Sequence, residues 1–168
     1  MVRHTAFALA LLVLPGLAHA DLSAALGAGV SAARFGSNDL WTEISLRTDH
    51  RRFAVQAYFG NSRHLDTVQL SSGVLRRTFN DQEVGVTIGP RGRFGRATAF
   101  AGIGIGAWHG SHTYPEAHWL VDIDLAVAPR VRVFGCVRGA TVFDLDGNLR
   151  IRRYFGGVRL NLTGTGVR

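Results

Sequence analysis

At 168 residues the chain has room for about one domain. Its 19 basic side chains are all arginine and are scattered, giving a formal net charge of +7 without the basic tract a nucleic-acid reading would need. Cys136 is alone, which excludes an intramolecular disulfide.

The first element is a leader. Met1-Val2-Arg3-His4 is followed by the apolar run "AFALALLVL" and then "PGLAHA", ending at Ala18-His19-Ala20. A basic start, a short apolar stretch and small residues around the cut predict a signal peptide over 1–20, cleaved after Ala20. A buried N-terminal helix explains fewer of these features. The domain is then 21–168, an exported chain that is not expected to meet nucleic acid. Beyond the leader no stretch approaches the roughly 18 uninterrupted apolar residues of a membrane-spanning helix.

From Asp21 onward the dominant signal is alternation. Leu40, Ile44 and Leu46 share one face, with Trp41, Glu43, Ser45 and Arg47 on the other. Phe53, Val55, Ala57 and Phe59 oppose Ala54, Gln56 and Tyr58, and Trp119, Val121, Ile123, Leu125 and Val127 oppose His118, Asp122 and Asp124. Period two is the strand signature. It predicts eight strands, at 22–34, 39–48, 51–60, 81–90, 97–109, 117–128, 131–142 and 150–162. The connections alternate short ("DHR", "RGRFGR", "PR") and long (61–80, 110–117, 143–149), with both termini at the short end. That is the plan of an all-β, eight-stranded antiparallel up-and-down transmembrane β-barrel. The stretch 67–75 also alternates, and is expected to extend its neighbouring strands above the membrane, because a ninth strand would break the even count.

Such a sheet can close with its apolar face inward, as in a soluble carrier, or outward into lipid. Strand length favours outward, since about 9–11 tilted residues cross a bilayer and soluble strands are usually nearer five or six. Aromatic placement points the same way. Phe35, Trp41, Tyr58, Phe59, Trp108, Trp119, Phe143, Tyr154 and Phe155 fall towards one end, Phe53, Phe94, Phe100 and Phe134 towards the other. Of these, Trp41, Tyr58, Trp108, Trp119 and Tyr154 are the expected membrane-interface aromatics. The polar face carries Glu43, Gln56, Glu83, Asp122, Asp124, Arg138, Arg159 and Asn161. Charge at bilayer depth is costly, so Glu43, Glu83, Asp122, Asp124, Arg138 and Arg159 are expected to pair inside as a lumen charge network. Gly102, Gly104 and Gly106 leave room for it, while Ala101, Ile103 and Ile105 face lipid.

The start "DLSAALGAGV", the strand "FAGIGIGAWHG" and the order of eight strands resemble the outer-membrane lipid A 3-O-deacylases and the wider group of small outer-membrane barrels, over most of 21–168. The resemblance implies a barrel in the bacterial outer membrane. Deacylases of that family carry His-x-Ser-Asn on the seventh strand and a later glutamate that orients the histidine. Here those positions fall on Thr141, Phe143 and Asp144, and no glutamate follows Glu116. The family's catalytic residues cannot be carried over.

The cluster "HGSHTYPEAH" at 109–118 is a candidate substitute. His109, Ser111 and Glu116 have the residue types of an activated nucleophile, although a loop holds such geometry poorly. His109, His112 and His118 could ligate a metal, but exposed loop histidines are commoner. "DLDGN" at 144–148 lacks the later ligands of a calcium loop, and "PRGRFGR" at 90–96 reads as a solvated turn. No catalytic residue, metal or other cofactor is therefore expected. The last strand lacks the terminal aromatic residue that such barrels commonly present to the assembly machinery, which counts against insertion.

The expected function is a non-catalytic outer-membrane barrel, structural or acting in surface interactions through its outer loops. The alternatives are a lipid A-modifying ester hydrolase with a displaced site, and a soluble periplasmic carrier. Its expected partners are outer-membrane lipids, lipopolysaccharide and the outer-membrane assembly machinery, and it is expected to be monomeric.

Overall fold

A computed structural model describes residues 21–33, 38–70, 73–110, 112–144 and 147–163. Residues 1–20, expected to be a signal peptide, lie outside the described residues, as do Phe35, Ser111 and the side chains of 64–79. Eight antiparallel strands, β1 (Asp21–Ala33), β2 (Asn38–His50), β3 (Phe53–Leu70), β4 (Gly73–Phe94), β5 (Ala97–His109), β6 (Thr113–Ala128), β7 (Val131–Asp144) and β8 (Gly147–Asn161), pair in chain order. β8 returns to pair with β1, from Ser23↔Asn161 to Ala33↔Ile151, so the barrel closes and no edge is left open.

The β2–β3, β4–β5 and β6–β7 turns lie at the same end as Asp21 and Asn161, the turn end. Gly95 takes φ +60° in the β4–β5 turn, where a side chain would be strained, and Arg51 accepts φ 46° in the β2–β3 turn without that relief. A register shift between Ala126 and Ala128 leads into the β6–β7 turn.

At the opposite, loop end the strands run further than their alternation indicates. The long loop expected at 61–80 is a hairpin: β3 and β4 stay paired from Phe53↔Pro90 out to Leu70↔Gly73. Their pairing with the neighbouring strands stops earlier, at Leu40↔Arg63 and Gln82↔His109. A two-stranded ribbon therefore stands beyond the rim, and 67–70 and 73–75 belong to it; the remaining two residues of the stretch, 71 and 72, lie outside the described residues. Likewise β6 starts at Thr113, so most of the loop expected at 110–117 is strand.

The two faces have opposite character. Leu26, Ile44, Leu46, Phe59, Ile88, Ile103, Ile105, Ile123, Leu125, Val158 and Leu160 are exposed on the outside, whereas Glu43, Arg47, Glu83, Asp122, Asp124, Arg138, Arg153 and Arg159 are buried inside. An apolar exterior of this extent around a charged interior is stable only against lipid. An inward apolar face, as the soluble carrier requires, is not what the chain builds.

Candidate functional site

The lumen is filled by three polar groups stacked along the barrel. Nearest the turn end, Arg47 from β2 and Arg159 from β8 grip two carboxylates of β6. Arg47 donates through Nη1 to Asp122 at 3.1 Å, through Nη2 to Asp124, and its Nε lies 3.0 Å from Asp49. Arg159 donates through Nη2 to Asp122 Oδ2 at 2.9 Å and through Nη1 to Asp124. Each guanidinium also lies over an aromatic ring, Arg47 over Phe100 at 5.7 Å and Arg159 over Phe134 at 4.9 Å.

At mid-height Arg138 of β7 makes a bidentate pair with Glu43 of β2, at 2.6 and 3.1 Å. Its guanidinium stacks on the Tyr58 ring at 3.4 Å, and Arg153 pairs with Glu83 while lying 4.3 Å from the Trp41 ring. Parallel Arg–carboxylate bonds in a dry interior are strong and directional. The carboxylates of Asp122, Asp124, Glu43 and Glu83 are all answered by guanidiniums.

Towards the loop end the Tyr58 hydroxyl lies 2.7 Å from Glu83, 3.2 Å from Glu116 and 3.2 Å from His118 Nδ1. His118 Nδ1 is 3.1 Å from Glu116, and its Nε2 is 2.9 Å from Thr87 Oγ1. Hydroxyl, imidazole and carboxylate in that order have the connectivity of a hydrolase triad. Thr87, however, has no exposed surface, and Glu116 and His118 are buried with it. A substrate has no approach to the hydroxyl. The β5 backbone makes the arrangement possible: a Cβ on Gly104 would strike the His118 ring. Above lies an apolar cap of Ala140, Val142 and Ile151 packed with Trp108, Tyr114 and Leu149.

The expected site residues thus separate by face. Glu43, Glu83, Asp122, Asp124, Arg138 and Arg159 come together in the lumen, with Arg47, Arg153, Tyr58, His118 and Thr87, which sequence reasoning did not assign to it. His109, Ser111 and Glu116 do not form a described site: His109 is exposed at the end of β5, bonded to Thr113 at 2.7 Å, while Glu116 is 2% exposed in the lumen. The three histidines do not converge either. His118 is internal, and His112 is exposed beside the Tyr114 ring.

Three of the five interface aromatics require correction. Trp41 and Tyr58 are 1% and 3% exposed and point into the barrel, and Trp108 packs with the internal apolar cap. Side chains alternate across a strand, so these three fall with Glu43, Gln56 and Gly106 on the inner parity, whatever their height. Phe100, Phe134 and Phe155 are internal for the same reason. Trp119 and Tyr154, 45% and 46% exposed, face outward. Tyr58→Phe is accordingly expected to cost about 1.5–3 kcal/mol, because its hydroxyl serves buried carboxylates. Urea unfolding of the refolded barrel in lipid vesicles checks this, and a neutral result would return Tyr58 to the surface.

No family model matches the chain, and no curated protein does. Solved structures do. Neisserial surface protein A is similar over 85% of this chain and 97% of its own, with a TM-score of 0.66 and 12% identity. The outer membrane protein Ail of Yersinia pestis in a phospholipid nanodisc is similar over 84% of this chain and 100% of its own, with a TM-score of 0.50 and 13% identity. A major outer membrane protein of Thermus thermophilus is similar over 86% of this chain and 100% of its own, with a TM-score of 0.51 and 11% identity. With its closed eight-strand order and charged lumen, the chain has the fold of the small outer-membrane β-barrels.

Proposed function

We propose that the chain is a non-catalytic barrel of the bacterial outer membrane, exported by its signal peptide, whose loop end faces outward and presents the β3–β4 ribbon to surface partners. The observation that carries this reading is the inverted polarity of the barrel with its lumen closed by ion pairs. Such a lumen neither conducts nor admits a ligand, so what the barrel can offer lies outside it. The ribbon continues for seven residues of β3 beyond the last β2 pairing and is the largest part of the described chain clear of the rim. Lipopolysaccharide surrounds such an end, the assembly machinery would deliver the barrel there, and a plugged single-chain barrel is complete as a monomer.

Fractionation of expressing cells, followed by electrophoresis of heated and unheated detergent extract, tests the placement. The expected result is heat-modifiable protein in the outer membrane. Soluble periplasmic protein with no shift would overturn it. Release of fatty acid when the purified barrel is incubated with lipid A would overturn the non-catalytic half and favour a hydrolase.

A further inference from the structure

Up to Asn148 near the loop tip, the outward positions of β8, taken from the turn end, are Leu160, Val158, Gly156, Tyr154, Arg152 and Arg150. The order is apolar, apolar, small, amphipathic aromatic, cation, cation. It follows the profile of a lipid leaflet from its hydrocarbon to its headgroups. Arg153 and Arg159, on the other parity of the same strand, are buried and paired inside. Arg150 and Arg152 are exposed on the lipid side and make no ion pair among the described residues. Two residues apart on one face, they sit about 7 Å from each other.

Among the described residues, no carboxylate is in register with them. Arg152 is paired with Gly139 and Ala32, and Arg150 with Thr141. Gly139 is in turn paired with Trp119, whose indole lies across it where a Cβ would be. The row Trp119–Gly139–Arg152 therefore brings an outward indole towards the outward guanidinium, with Tyr154 one outward step below. Trp and Tyr hold their depth at the boundary between hydrocarbon and headgroups. That fixes the two guanidiniums at headgroup depth, where phosphate is the acceptor a planar fork matches best.

We propose that Arg150 and Arg152, with Trp119 and Tyr154 beside and beneath them, bind the phosphate groups of an anionic lipid in the leaflet at the loop end. The site rests on the reading of the chain as a membrane barrel. Two unpaired guanidiniums on adjacent outward positions set it apart from Arg63, which is exposed at the loop end of β3 and serves as the control.

The test is titration of the purified barrel in detergent, followed by native mass spectrometry, with three probes: bisphosphorylated lipid A, the same lipid dephosphorylated, and inorganic phosphate. The R150Q/R152Q double variant is expected to raise half-saturation by the bisphosphorylated lipid roughly 30-fold, from about five- to sixfold per arginine. R63Q is expected to match the wild type, and the dephosphorylated lipid to bind wild type and double variant alike. Equal binding of the bisphosphorylated lipid by wild type and double variant would overturn the site. Inorganic phosphate binding as tightly as the lipid would overturn its assignment to a lipid. Each sample is also run heated and unheated. Wild-type protein without a gel shift would sink the barrel reading and this site together, whereas a shift without phosphate preference sinks the site alone.

Discussion

Replacing Arg138 with methionine is expected to lower the unfolding free energy of the reconstituted barrel by about 3–5 kcal/mol. The side chain is fully buried, gives both Nη groups to Glu43, and is stacked against Tyr58. Removing the guanidinium leaves the Glu43 carboxylate in the lumen, with Gln56 Nε2 at 3.5 Å as its remaining hydrogen-bond partner among the described residues. The loss is then set by an uncompensated charge and not by the worth of one bond. The double variant Arg138→Met/Glu43→Gln takes away both charges and is expected to recover more than half of it. Urea titration in lipid vesicles, with the four proteins arranged as a double-mutant cycle, reads the coupling. A loss below about 1 kcal/mol, the range of solvent-exposed pairs, would mean that water reaches the lumen and that the plug is open.

The membership of this network was largely legible in the sequence, but its pairing was not. Glu43, Asp122, Asp124 and Arg159 stand on the polar side of alternating runs, and that parity alone places them inside. Their partners lie across the barrel: Arg138 is 95 residues from Glu43, and Arg47 is 75 from Asp122. No local pattern encodes a contact made through the lumen. Arg153 was hidden differently. In "RIRRYF" three arginines crowd four positions, and only the register fixes which of them turns inward. The triad-like Thr87–His118–Glu116 group has the same origin, since it draws on two strands and closes only when Gly104 lets the imidazole in.

The aromatic residues fail for another reason. Height along a strand and face of a strand are independent coordinates, and a belt residue must satisfy both. Trp41, Tyr58 and Trp108 satisfy height alone, and their neighbours Glu43, Gln56 and Gly106 already mark their parity as internal. The loop end was underestimated because a hairpin that stands clear of the barrel needs no apolar face. Residues 61–66 and 76–80 carry no apolar alternation of the kind that identified the other strands, yet the β3–β4 ladder continues through them. Backbone pairing outlasts the hydrophobic signal wherever neither face must be buried.

A valine at Gly60 provides the sharpest check of the internal position of Trp41. Gly60 faces the lumen on β3, and a Cβ built there would fall on the six-membered ring of the Trp41 indole. The ring has nowhere to go. Arg153 holds it from one side at 4.3 Å, and Phe155 meets it edge-on at 6.5 Å. Overpacking a closed core usually costs about 1–3 kcal/mol, and here the clash begins at the Cβ itself, so Gly60→Val is expected to lose about 3 kcal/mol or more. Trp41→Leu is expected to lose a comparable amount by leaving a cavity. The combination should cost clearly less than the sum, because the smaller leucine makes room for the valine. Brominated lipid supplies a second readout, with quenching expected from the outward Trp119 and little from Trp41, each compared as the sole tryptophan. If Trp41 were an interface anchor, the Gly60 variant would be neutral, the two substitutions would simply add, and the Trp41 emission would be quenched as strongly as that of Trp119.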